Sequence, residues 1–294
     1  MAPYVIITDS CCDLPDTIVK KNDLVVIPLM VTIEGKNYRN YSDEREIKNR
    51  DFYNLLRQEK VAITSQLNPE DHIQAAEPWL QKGFDILSLS FSSALSGTYQ
   101  SAVIAYKELK EKYPDRDIEV IDTLCASLGQ GMIVMEAVER KAAGWSLTQV
   151  ANWVETNKLR VSHLFTVSDL NHLKRGGRLS PGKAFLGTLI HLKPLLHVTM
   201  EGKLVPIGSA RGRRHALNRL VERLEETIDQ PIDGKLFISH GDCIEETRDL
   251  AEKIEERLNT KVALINTIGP VIGSHSGLGT IAVFYLGSDR AYTK

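Results

Sequence analysis

The sequence predicts an α/β protein in two parts: an N-terminal region on a mainly parallel sheet covered on both faces, then a mixed α+β region after about residue 160. Three observations carry this expectation. Short apolar runs alternate with amphipathic helical patterns through the first half, as βαβ units require. Beyond Lys158 that rhythm gives way to paired strands and long helices. The length, 294 residues, suits two modest domains, and a 43% hydrophobic content supplies cores for both.

Taken in order, Tyr4–Ile7 reads as a strand and Leu14–Lys20 as the helix after it. Leu24–Ile33 reads as one strand entering a hairpin through Glu34-Gly35-Lys36-Asn37, and a helix follows over Asp51–Glu59. Asn68 caps a helix whose first residue is Pro69. Phe84–Leu89 and Ile118–Ile121 are strands, followed by helices over Gly97–Lys112 and Ala126–Ala143. Ser146 caps a further helix to about Lys158, on which Leu147, Val150, Ala151 and Val154 recur at helical spacing. In the second half, Val161–Val167 alternates as a strand does, and His191–Thr199 and Lys203–Ile207 flank a turn at Met200-Glu201-Gly202. A long amphipathic helix is expected over Ala210–Ile228 and another over Glu245–Leu258, with strands at Leu236–Ser239, Val262–Ile268 and Thr280–Leu286. The glycine-rich stretch 268–279 reads as a loop running into the last of these.

Composition narrows the function. A net charge of −2 gives no global field for nucleic acid or an anionic membrane, and no apolar run approaches the ~20 residues of a membrane span. Neither nucleic-acid binding nor stable membrane insertion is expected. Cysteines 11, 12, 125 and 243 form no C-x-x-C pair, so metal and redox spacing are absent and four reduced thiols in the cytoplasm are expected.

The chemistry-bearing residues follow the predicted strands: Thr8-Asp9-Ser10, Thr64-Ser65, Ser92 to Thr98, and Asp122-Thr123 with Ser127. Loops at the carboxyl ends of parallel strands share one edge, where helix N-termini favour anions. Each hydroxyl has a competing role as a helix cap, but jointly they make a donor-rich anion pocket. Ser96 lacks the G-x-S-x-G context of a nucleophile, while Gly97 beside it permits a tight turn. Gly177, Gly182 and Lys183 satisfy G-x-x-x-x-G-K, yet Ala184 stands where a P-loop needs Ser or Thr, so an ATP site is rejected. Lys174, Arg175 and Arg178 remain as anion-binding candidates. Arg211, Arg213 and Arg214 fall in the first turn of the expected helix, where the macrodipole disfavours cations; that placement points to an acidic partner or a phosphate. His275, between Ser274 and Ser276, is either an oxyanion donor or a loop histidine bonded to backbone.

Taken together, ITDSCCDLP (7–15), TSQLNP (64–69), SSALSGTYQSA (92–102), DTLCASLGQG (122–131), LKRGGRLS (173–180), SARGRRHAL (209–217) and GPVIGSHSGLG (269–279) resemble the DegV family of bacterial fatty-acid-binding proteins. The match runs in order over essentially the whole chain. Two places depart from the family pattern: Cys11-Cys12 stands where a small pair such as Thr-Ala usually precedes DLP, and HSGLG where HTGPG is usual. The resemblance implies a three-layer α/β/α domain with a mainly parallel sheet over 1–160, carrying the hydroxyl loops. A two-layer α+β domain with a mixed sheet, over 161–294, closes over a long-chain fatty acid. It implies Thr64, Ser65, Ser96 and Gly97 at the carboxylate, with Arg175, less directly Arg178, and His275 and Ser276 from the second domain. It also implies a non-catalytic role without cofactor or metal: a separate ATP-dependent fatty acid kinase subunit phosphorylates the bound lipid to an acyl phosphate, and Arg211 and Arg213 lie where that partner engages. Part of the lipid tunnel is expected from Ala184, Phe185, Leu186, Leu189, Ile190 and Leu192. The alternative is an enzyme on a small anionic substrate, with Ser96 as nucleophile and His275 as base.

Overall fold

The structure is a computed structural model and describes residues 2–179, 192–229, 235–287 and 290. Strand β1 (Tyr4–Asp9) is buried at every residue, as a central strand covered on both faces must be. A short 3₁₀ turn, Ser10–Cys12, leads to α1 (Asp16–Lys21), which carries Asp16 at its start and Lys20 and Lys21 at its end, matching the helix dipole. The expected single strand over 24–33 divides into β2 (Val25–Ile27) and β3 (Met30–Ile33), which join different sheets. Pro28 lies between them and offers no N–H to a ladder. β3 turns through Glu34 and Gly35, both at positive φ, into β4 (Lys36–Arg39).

After α2 (Asn49–Arg57), β5 (Ala62–Ser65) pairs antiparallel with β3 and completes a three-stranded sheet, β4-β3-β5. This corrects one expectation: Thr64 and Ser65 do not sit on the edge of the parallel sheet. α3 (Pro69–Gln81) begins with a capping box between Asn68 and Asp71 and has Pro69 in its first turn. β6 (Asp85–Ser90), α4 (Thr98–Lys112) and β7 (Ile118–Asp122) continue the βαβ rhythm, giving a fully parallel sheet of order β2-β1-β6-β7. α5 (Leu128–Ala142) and α6 (Leu147–Asn157), the latter with a Ser146–Gln149 capping box, close this half.

The second half has a six-stranded mixed sheet, order β10-β9-β8-β13-β11-β12, in which β11 and β12 pair in parallel and the other described strand pairs are antiparallel. β8 (Val161–Thr166) leads through the short α7 (Asn171–Arg175) to β9 (Leu192–Val198) and β10 (Leu204–Arg211). Here the expected helix over 210–228 is corrected. The strand continues to Arg211, paired with Leu192, Gly212 turns at φ 84, and α8 (Arg213–Thr227) starts only there. β11 (Phe237–His240), α9 (Ile244–Leu258) and β12 (Leu264–Thr267) follow. The stretch read as a glycine-rich loop contains a helix, α10 (Pro270–Ser276), before β13 (Ile281–Leu286). Gly269 and Pro270 start that helix and Gly277, at φ 77, stops it, so the glycines mark its ends.

One apolar core runs from Tyr4 to Phe284 through both halves, and a second fills the space between α8, α9 and the sheet. α5 lies at the junction, packing on β1 and β6 of the parallel sheet and on β8, β11 and β13 of the mixed one. Among the described residues no helix is long and apolar enough to cross a membrane.

Candidate functional site

Where the mixed sheet faces the first half there is a cavity lined largely by apolar side chains, among them Leu29, Phe91, Phe165, Leu173, Val271 and Phe284. Its polar wall gathers Thr64 and Ser65 from β5, Ser96 from the loop before α4, Arg178 from the turn after α7, and His275 and Ser276 from the end of α10. β5 and α10 belong to opposite halves, and they meet through a hydrogen bond of 2.8 Å between Thr64 Oγ1 and His275 Nε2. Burial, with the nearby Arg178 charge, pushes the His275 imidazolium down to about 4, so the ring is neutral at pH 7. The buried Ser276 hydroxyl has no hydrogen-bond partner among the described residues.

Ser96 is engaged elsewhere. Its Oγ lies 3.0 Å from Thr98 Oγ1 and accepts the Thr98 N–H at 3.3 Å, so the Ser96–His275 pair of an enzyme is not formed. Other hydroxyls of the stretch 90–102 serve the fold: Ser92 donates to the Gly202 carbonyl at 2.9 Å, and Thr98 accepts the Leu67 N–H at 3.3 Å. Gly97 lies behind the wall, where a Cβ would come within 2.2 Å of Gln66 Oε1.

The two arginines separate. Arg175 is exposed and its Nη2 donates to His172 Nδ1 at 3.1 Å, whereas Arg178 lines the cavity, tied to the carbonyls of Leu95 at 3.0 Å and Gly176 at 2.5 Å. Of the two, Arg178 and not Arg175 stands in the described cavity wall. The intervening glycine has a steric reason, since a Cβ on Gly176 would stand 2.2 Å from His275 Nδ1. Arg213 is tied to α9, its Nε and Nη2 donating to Glu246 at 2.7 to 3.0 Å, while Arg211 and Arg214 are exposed. Of the expected tunnel residues, Ala184, Phe185, Leu186, Leu189 and Ile190 lie outside the described residues. Leu192 pairs with Arg211 and is not part of the described cavity wall.

Several residues of the wall escaped sequence reasoning. His163 lies under the cavity with Nδ1–H donating to Val161 O at 3.1 Å and Nε2 accepting the Ala126 N–H at 3.1 Å; burial drives its charged form well down. The alternation of 161–167 set His163 and Phe165 on one face, but not which face would line a cavity. Cys11 also lines the wall, and burial together with Asp9 and Asp13 pushes its thiol well up, which makes it a poor nucleophile. All four cysteines are free. Among the described residues no cluster of His, Cys, Asp or Glu has the makings of a metal site.

A model of the DegV family, described as an uncharacterised protein family, matches residues 3–288. A DegV domain-containing protein of Clostridium perfringens is 45% identical over 290 residues, 99% of each chain. Among solved structures, a DegV family protein of Thermus thermophilus described for its fatty acid binding has a TM-score of 0.86 at 31% identity, covering 98% of this chain and 100% of its own. DegV of Bacillus subtilis, described as a fatty acid binding protein, has a TM-score of 0.82 at 28% identity over 98% of this chain and 100% of its own.

Proposed function

From the premise that the chain belongs to the DegV family, we propose that it binds a long-chain fatty acid in the cavity between its halves and presents the carboxylate to a separate ATP-dependent kinase. The observation that carries this reading is the Thr64–His275 pair, with Ser65, Ser96, Ser276 and Arg178, in one wall of an otherwise apolar cavity. A carboxylate leaves water only where hydrogen bonds or charge replace its hydration. Neutral His275 meets the need indirectly: with its proton on Nε2 it donates to Thr64 Oγ1 and leaves the Thr64 hydroxyl proton for the ligand. Arg178 adds positive charge beside it. The tail supplies the affinity, since each buried CH₂ contributes about 0.8 kcal/mol and a long chain roughly 10 kcal/mol before the costs of ordering.

Under this reading the chain is a binding subunit, and the chemistry belongs to the kinase. With Ser96 on Thr98 and His275 on Thr64, a serine nucleophile with a histidine base has no support in the geometry. Arg211 is the better-placed arginine for the kinase, being exposed where Arg213 is held by Glu246. We place the protein in the cytoplasm, where its four thiols stay reduced.

Native mass spectrometry of the purified protein tests the proposal. The wild type should carry a fatty acid, and the Thr64→Ala/Ser96→Ala double variant should retain at least tenfold less after the same purification. Equal lipid content in the two would remove the head-group assignment.

A further inference from the structure

The helix that brings His275 and Ser276 to the cavity is anchored at its start by the first half of the chain. Asp13 Oδ1 accepts the Gly269 N–H at 2.9 Å, the Asp13 carbonyl accepts from Asn266 Nδ2 at 2.7 Å, and the Tyr53 hydroxyl donates to Ile268 O at 2.9 Å. Gly269 fits tightly there, for a Cβ would lie 2.9 Å from Asp13 Oδ1 and 3.1 Å from the Asn40 amide. The other carboxylate oxygen, Oδ2, accepts from Ser127 Oγ at 2.6 Å, and Ser127 Oγ meets Ser239 Oγ at 3.0 Å. Asp13 itself is buried and held in the left-handed region at φ 51, a conformation that Asp tolerates better than most residues. A single side chain thus joins the start of α5 to the start of α10, and through Ser127 it reaches the end of β11.

Resting on the reading of the cavity as a fatty-acid site, we infer that Asp13 is a positioning residue: through Gly269 it sets where α10 begins and so aligns His275 with Thr64. The role depends on hydrogen-bond geometry and not on charge. Asn at this position keeps Oδ1 for the Gly269 N–H, while its Nδ2 donates to Ser127 Oγ, which can turn its own proton to Ser239.

Two readouts test this, and one needs no lipid. In the delipidated protein, NMR of the His275 ring at successive pH values reads the alignment directly. Asp13→Ala should shift the His275 resonances and move the titration from near 4 toward the ordinary ~6.5, while Asp13→Asn should leave both as in the wild type. With palmitate as the probe, calorimetric affinity should fall at least tenfold in Asp13→Ala and stay within about threefold in Asp13→Asn. Should Asp13→Ala not fold, Gly269→Ala perturbs the same contact from the other side and should produce the same shift. Unchanged His275 resonances in a folded Asp13→Ala or Gly269→Ala protein would overturn the inference, as would an Asp13→Asn variant as weak as Asp13→Ala. A wild type that binds no palmitate would instead overturn the fatty-acid reading, because the resonance comparison stands without ligand.

Discussion

Asp13 shows how a single residue reports on the interior around it. Burial pushes its carboxyl up to about 7, against the hydrogen bonds from Ser127 and Gly269 that favour the charged form. A carboxyl held at that value folded, and near 3.9 unfolded, binds its proton more tightly in the native state. The sign follows: its contribution to stability is full below about pH 4, is lost as the pH rises to about 7, and stays lost above that. Asp13→Asn has no ionisation to lose. In urea unfolding, its stability relative to wild type should therefore be more favourable at pH 8 than at pH 5, by roughly 2 kcal/mol. A relative stability that does not change between the two pH values would show that Asp13 ionises freely in the folded protein. Nothing near Asp13 in the sequence announces this, because its partners lie at 127 and 269 and the burial is tertiary. Gly176 is the opposite case: the glycine pair was visible in LKRGGR, and what remained hidden was the ring it makes room for.

At the scale of elements, sequence logic was most secure where the start of a helix carried its own signal. The Asn68-Pro69 and Ser146 starts form the expected caps, since a capping box is made by residues three apart and owes nothing to the rest of the chain. The start of α8 went the other way. Ala210 and Arg211 are drawn into β10 by pairing with β9, which outweighs the helical pattern beyond Gly212. That shift gives the arginines different duties, and they should separate by experiment. Arg213→Ala removes the Glu246 pair between α8 and α9 and should cost about 1 kcal/mol in denaturant unfolding, part-exposed as the pair is. If a kinase partner phosphorylates the bound lipid, as proposed above, Arg211→Glu should leave stability within ~0.5 kcal/mol and lipid content unchanged, yet slow that phosphorylation at least tenfold. Phosphorylation at the wild-type rate in Arg211→Glu would remove this arginine from the partner surface.

For the molecule as a whole, the continuous core from Tyr4 to Phe284 ties the halves together, helped by Ser92 on Gly202 and Tyr53 on Ile268. Heating should therefore give one cooperative transition in calorimetry, and palmitate at about 100 times its Kd should raise Tm by roughly 5 °C without splitting the peak. Two transitions, of which lipid moves only one, would contradict a shared core. The sequence by itself determined the βαβ order of the first half, the mixed second half and the family, because periodicity, caps and an ordered set of motifs are local properties that survive without coordinates. Tertiary structure alone decided that Thr64 meets His275 while Ser96 turns to Thr98, that Arg178 and not Arg175 faces the cavity, and that Asp13 lies against Gly269. Those are contacts between residues of different elements, and the packing of one half against the other sets them.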